Sequence, residues 1–336
     1  MFNFSKKIGI DLGTANSLVW MEGQGIVLNE ETVVAVSLIN NQVVAVGSEA
    51  KDMLGRTPGN ILAKRPMKDG VIADYYITEA MLRAFMSRVM GRSFLIKPEV
   101  MICVPAGCTQ VERRAVVDAT LSAGARNAYL IDEPLAAAIG ANIPIAEASG
   151  NMVLDIGGGA AEAAVISLGG VVVNKSVRIG GNALDETISK YIRKKHNLII
   201  GDQTAEKIKI EIGSAMPLKQ ERKIEIKGRD IATGLPRAIN LTSSEIYEAL
   251  QHPLSRIVKV VKDVLEEVPP ELAADIIDKG VVMTGGTSTL RNLDALIREA
   301  TGVPAAVAER PLMCVIQGIG VALENLDLYK RSLGKK

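Results

Sequence analysis

Two stretches of the chain set a carboxylate beside an unshielded turn. In "NMVLDIGGGAAEAAVISLGG" (151–170) an apolar run ends at Asp155, and Gly157, Gly158 and Gly159 follow almost at once. In "IGIDLGTANSLVWMEGQGIV" (8–27) Asp11 precedes Gly13, Thr14, Ala15 and Asn16. Successive glycines leave main-chain N–H groups bare, and such amides can line a concave site for an anion. The phosphates of a nucleotide would suit that chemistry, gripped by two turns from opposite sides. A carboxylate next to a phosphate repels it unless a cation lies between. Asp11 and Asp155 are therefore read as holders of Mg²⁺, directly or through the water that this ion keeps.

A third glycine loop comes late, in "GVVMTGGTSTLRNLDALIREA" (280–300). A strand over Val281–Met283 is expected to end at Gly285 and Gly286, with a helix from about Leu290. Between the loops, "TAEKIKIEIGSA" places Glu206 and Lys209 three apart on one helix face, where they could bond ribose hydroxyls. Each element also has an ordinary structural reading: a tight turn, or a solvated charge pair. Glu133, in "YLIDEPLAAAIGA", stands between a strand-like run and Pro134 at an expected first helical position, and alone it could be a helix cap. Their combination in one chain is what points to a nucleotide.

The elements that must hold these residues follow from pattern. The stretches around Asp11 and Asp155 echo each other 144 positions apart: apolar run, Asp, aliphatic, Gly, small residues, a second apolar run, then glycine. Repetition at that distance predicts two copies of one domain and not a solenoid. After a dinucleotide-binding glycine loop a helix should begin. Here "SLVWMEGQGIV" and "AAVISLGGVV" are β-rich, so each turn is predicted to join antiparallel strands. Thr109 with Glu112, and Thr242 with Glu245, stand at capping-box spacing and mark two helices. Apolar residues at helical intervals from Ile246 to Leu265 extend the second, with a kink expected at Pro253. Alternating strands and helices give an α/β class.

Bulk properties exclude several alternatives. The 336 residues suffice for two domains with an aliphatic core, since 48% are hydrophobic but only 3% aromatic. A net charge of +1 gives no general attraction to nucleic acid. Cys103, Cys108 and Cys314 have no metal-ligand spacing, Cys103 reads as core, and the sparse count fits a reducing cytosol. No signal peptide and no membrane-spanning run is expected.

With these elements in order, the chain resembles the actin, heat-shock chaperone and sugar kinase ATPase superfamily. The resemblance sharpens to the MreB/Mbl family of bacterial actins and covers nearly the whole chain. It rests on "GIDLGTAN", "RPMKDGVIADY", "DEPLAAAIGA", "NMVLDIGGG", "AVISLGG", "TAEKIKIEIGSA", "TGLPR", "PPELAADIIDKG" and "MTGG", in family order. It implies an actin-like fold of two lobes, each built on a duplicated mixed β-sheet flanked by helices, with ATP and Mg²⁺ in the cleft. Residues 1–139 with 310–336 would form the first lobe, with a small insertion over 33–65. Residues 140–309 would form the second, with an insertion over 181–243. By the same resemblance, Thr14, Ala15 and Asn16 form one phosphate loop and Gly157, Gly158 and Gly159 the other. Glu206, Lys207, Ile208 and Lys209, with Gly285, Gly286, Thr287 and Ser288, would hold the adenosine. Asp11 and Asp155 would hold Mg²⁺, and Glu133 would position the attacking water.

The resemblance further implies a cytoplasmic filament former, its strands paired and antiparallel. It would lie on the inner membrane beside the cell-shape proteins of the elongation machinery and organise wall synthesis and rod shape. A chaperone-type ATPase is disfavoured because the chain stops at Lys336 without a peptide-binding domain, and no sugar pocket is evident. Phe94, Leu95 and Ile96, between Arg92 and Lys97, match the family's membrane-inserting loop, though alone they read as the start of a strand. Phe2 and Phe4 could add a second anchor. Three departures stand out: Ala160 and Ala161 replace paired threonines, Asn182 replaces an aspartate, and Thr287 replaces the third glycine of the late loop. Alanine keeps its amide, so turnover should suffer more than binding.

Overall fold

The computed structural model describes residues 6–40, 42–91 and 97–329. Two five-stranded sheets of the same topology form its frame. In the first, Gly25–Glu31, Asn16–Met21 and Lys7–Leu12 run antiparallel in turn, and Glu99–Val104 and Asn127–Asp132 extend the sheet in parallel. In the second, Gly170–Val177, Ala161–Ser167 and Asn151–Ile156 repeat the antiparallel part. Val281–Thr284 and Ala305–Val307 repeat the parallel part. Asp11 and Asp155 lie on equivalent central strands, and each hairpin has a register shift in its outer pairing, at Val19/Trp20 and at Val165/Ile166. The sequence echo is thus a repeat of fold, and strands follow both glycine turns as the β-rich runs predict.

The central strands KIGIDL and NMVLDI are buried almost end to end, as befits strands covered on both faces. Apolar residues form a large cluster in each half, a third between them, and a small one under the Val34–Ser37 sheet. The third gathers Leu18, Trp20 and Met101 from the first sheet with Val153 and Ile166 from the second. Helices Glu133–Gly140 and Cys314–Glu324 run through it. They approach so closely that a Cβ on Gly318 would stand 1.8 Å from the carbonyl oxygen of Ala136. A Cβ on Gly140 would stand equally close to that of Cys314. The run of alanines and glycines in "EPLAAAIG" is therefore a packing face that seats the helix headed by Glu133.

Both predicted capping boxes form, at Thr109/Glu112 and Thr242/Glu245. The second opens a 25-residue helix, Ser243–Glu267, which continues as one element through Pro253. Two boundaries differ from the sequence reading. Pro134 is the second helical residue, because the helix starts at Glu133. The late helix starts at Leu293, because Gly286–Thr289 first makes a 3₁₀ turn and Asn292 adopts a left-handed φ of 59°. Small three-stranded sheets form around Val34–Ser37 and Lys223–Asp230. The second accompanies helices Gly181–His196 and Asp202–Ile212.

Candidate functional site

The two glycine turns meet face to face. A Cβ on Gly158 would stand 2.6 Å from that of Ala15, and one on Gly159 would stand 2.3 Å from Thr14 Oγ1. These approaches require glycine, which answers why the side chains are missing there. A third element joins them. Asp69 and Gly70, with φ of 53° and 82°, form the tight turn between Met67–Lys68 and Val71–Ile72, the pattern favoured by an Asp-Gly pair. The Gly70 N–H donates to Thr14 Oγ1 at 2.9 Å. The three turns border a cleft lined also by Cys103, Pro105, Cys108, Glu112, Glu133, Asp155, Ala160 and Glu162.

The charged side chains that line this cleft are all acidic among the described residues: Glu112, Glu133, Asp155 and Glu162. Asp11 is buried just beneath, accepting from Cys103 Sγ at 3.3 Å. Burial lifts its carboxyl to about 7, against the Cys103 bond and with further upward pressure from the charge of Asp155. Asp155 accepts from Thr284 Oγ1 at 2.6 Å, and burial still holds it above the usual carboxylate range. Glu133 is raised further, first by burial and then by Asp155, Glu162 and Asp11. Glu162 is raised by burial despite a bond from the Ala106 N–H. Carboxylates crowded in this way call for a cation. Among the described residues no three acidic, His or Cys groups are close enough to chelate a metal directly. The arrangement fits an ion held largely through its own water, as Mg²⁺ prefers.

The late loop packs onto the triglycine turn. Gly285, at φ 80°, lies against the Ile156 backbone, where any Cβ would collide at 2.4 Å. Thr287 Oγ1 donates to Gly157 O at 2.8 Å, and Ser288 Oγ donates to Gly285 O at 2.7 Å. Lys209 Nζ reaches the same corner, donating to Gly181 O at 3.1 Å and to Asp185 Oδ2 at 2.8 Å. Gly181 is flanked by Thr287 and Lys209.

The structure thus brings Thr14, Ala15, Gly157–Gly159, Asp11, Asp155 and Glu133 together, with Lys209 and Thr287 behind the second turn. The other expected residues differ in their surroundings. Ile208 is fully buried in the core of the second half and offers nothing to a ligand, because the helix turns that position inward. Lys207 is exposed and pairs with Glu211 at 3.7 Å. Glu206 faces Lys51 at 3.9 Å, and Lys51 also binds Glu31 at 3.1 Å. Asn16 is exposed at the start of its strand. Ala160 lines the cleft, whereas Ala161 is fully buried in the core on the opposite face of the strand, so only the first lacks a cleft-facing hydroxyl. Asn182 holds the triglycine turn by its backbone, donating to Gly158 O at 2.9 Å. Phe2, Phe4, Phe94, Leu95 and Ile96 lie outside the described residues. Glu162 was not foreseen, although strand alternation from Ala160 places it on the cleft face.

Two sheets of one topology, joined by a shared helical layer and meeting over paired hairpin turns, define an actin-like protein. The model of the MreB/Mbl protein family matches residues 5–331. Cell shape-determining protein MreB of Escherichia coli K12 is 56% identical over 331 residues, covering 97% of this chain and 95% of that protein. Cell shape-determining protein Mbl of Bacillus subtilis is 49% identical, covering 98% and 99%. The crystal structure of MreB5 of Spiroplasma citri bound to AMPPNP superposes with a TM-score of 0.92 at 37% identity, over 98% and 99% of the two chains. The chain belongs to the MreB/Mbl family.

Proposed function

We propose that the chain binds ATP with Mg²⁺ in this cleft and uses the bound nucleotide to govern its assembly into filaments that organise cell-wall synthesis and rod shape. The observation that carries the reading is the meeting of two bare turns over buried carboxylates in one cleft. MreB5 of Spiroplasma citri, of similar fold, has been crystallised with AMPPNP and with ADP. The amides of Gly157–Gly159 and of Thr14–Asn16 would take the phosphates. Lys209 and the Gly285–Ser288 loop would border the adenosine. Asp11 and Asp155 would hold Mg²⁺ through water, and the ion would neutralise charge on the phosphates and carboxylates. Glu133 makes no side-chain hydrogen bond among the described residues, so its carboxyl is free to orient a water, and would accept its proton once a bound cation offsets the neighbouring charges that raise it.

The matching sheets support a division into lobes 1–139 with 310–336 and 140–309, with insertions over 33–65 and 181–243. Lengthwise assembly would join two different faces of successive subunits, an arrangement that does not close. We infer paired antiparallel strands, and contact with cell-shape proteins of the elongation machinery, from the family. No described helix is long and apolar enough to cross a membrane. Attachment to the inner face would therefore rest on Phe94, Leu95 and Ile96 with Phe2 and Phe4, each weak alone but multiplied along a filament. Titration with a fluorescent ATP analogue tests the nucleotide site. Saturable binding that needs Mg²⁺ is expected, weakened about tenfold by Gly159→Ala, whose Cβ would stand 2.3 Å from Thr14 Oγ1. Absence of saturable binding to the parent protein contradicts the reading.

A further inference from the structure

Glu162 lines the cleft and keeps one carboxylate oxygen, Oε1, fully buried and without a hydrogen-bond partner among the described residues. Its residue is 3% exposed, and it stands directly across the hairpin from Asp155. The two carboxylate oxygens have different surroundings. Oε2 accepts from the Ala106 N–H at 3.1 Å. Ala106 follows the Glu99–Val104 strand of the first sheet, while Glu162 belongs to the second. That bond therefore ties the two halves of the molecule across the cleft. The same seam holds Gly107 against Ser176 and pairs Arg178 with Glu112 at 3.6 Å. Oε1 takes no part in any of this.

Tying the halves together requires only a neutral acceptor for the Ala106 and Gly107 amides, both of which bear on this carboxylate. A carboxylate in that place leaves a second oxygen buried and bare, at the full desolvation cost of an unsatisfied charged group. Folding supplies no reason for Oε1. A polar cavity with an orphan acceptor is where an ordered water sits. Ala160, the neighbouring cleft-facing residue, has no hydroxyl to hold one. We propose that Glu162, resting on the ATP reading above, is a positioning residue that holds a water in the cleft through Oε1 while Oε2 fixes the carboxylate to the opposite half. It would act with Glu133 to orient the water that attacks the terminal phosphate.

Glu162→Gln separates the two duties. Its amide oxygen accepts from Ala106 as Oε2 does, and its nitrogen then replaces Oε1 by a donor. Phosphate release from assembled protein, ATP affinity and melting temperature are measured for the parent, Glu162→Gln and Glu162→Ala. The expected result for Glu162→Gln is a fall in maximal rate of about tenfold or more, with ATP affinity and assembly within twofold of the parent and no loss of melting temperature. Glu162→Ala should in addition weaken assembly, because the tie is lost. A Glu162→Gln rate within twofold of the parent overturns the water-holding role, whatever Glu162→Ala does. A parent that binds ATP but releases no phosphate overturns this inference alone. A parent that does not bind ATP overturns the reading of the site as well.

Discussion

Replacing Gly318 by alanine tests whether the Glu133 helix is seated by backbone contact. The added Cβ would stand 1.8 Å from Ala136 O, 2.7 Å from Ala136 C and 3.0 Å from Gly140 N. All three are backbone atoms, so no side chain can swing aside. Ordinary contact requires the helices to part by roughly 1.5 Å or more. Overpacking of this kind costs typically about 1–3 kcal/mol, and a backbone collision belongs at the upper end. For 336 residues the unfolding entropy is about 0.7 kcal/mol/K, so about 3 kcal/mol lowers the melting temperature by about 4 °C. The assay is thermal unfolding followed by the fluorescence of Trp20, the only tryptophan, which packs against Gly320 in the same layer. Gly59→Ala is the control, since nothing lies within 4 Å of its Cβ position. A Gly318→Ala protein that melts within 1 °C or so of the parent would refute the packing argument.

Asp11→Asn should stabilise the nucleotide-free protein at pH 8 and hardly at all at pH 4. Between its ordinary 3.8 and about 7 the folded chain holds a proton that the unfolded chain has lost. Stability therefore falls as pH rises through that window, by up to about 4 kcal/mol above it; equal gains at both pH values contradict this. Ala160→Thr should speed phosphate release, because removing one transition-state contact costs roughly 2.7–4 kcal/mol in other enzymes, an upper guide here. Ala161→Thr should leave the rate alone and lower the melting temperature, because that position is core; the opposite ranking by phosphate release and melting refutes the assignment of faces. Replacing Phe94 and Leu95 by serine should reduce flotation of filaments with liposomes, and unchanged flotation counts against that anchor.

The duplicated hairpins, both capping boxes and the cleft residues Asp11, Asp155 and Gly157–Gly159 were legible because each depends on local pattern: alternation, cap spacing, or glycine where another backbone passes. The late helix start was missed because the 3₁₀ turn at Gly286–Thr289 and left-handed Asn292 leave no periodic signal. Glu206 and Lys209 share a face as their spacing requires, yet their partners Lys51 and Asp185 lie far away in sequence. Ile208 turns into the core because four successive positions cannot all face one way on a helix. The divergent roles of Ala160 and Ala161 follow from strand alternation once the strand is known. Glu162 has no counterpart in the first hairpin, where Leu18 faces Asp11, so the internal echo could not mark it.

Sedimentation of the purified protein tests the central claim most directly, because it joins the cleft to assembly. With ATP and Mg²⁺ most of the protein is predicted to pellet as filaments, and without nucleotide and with the metal chelated it should stay in the supernatant. Protein that remains monomeric with ATP and Mg²⁺, or that pellets equally without them, would contradict the account.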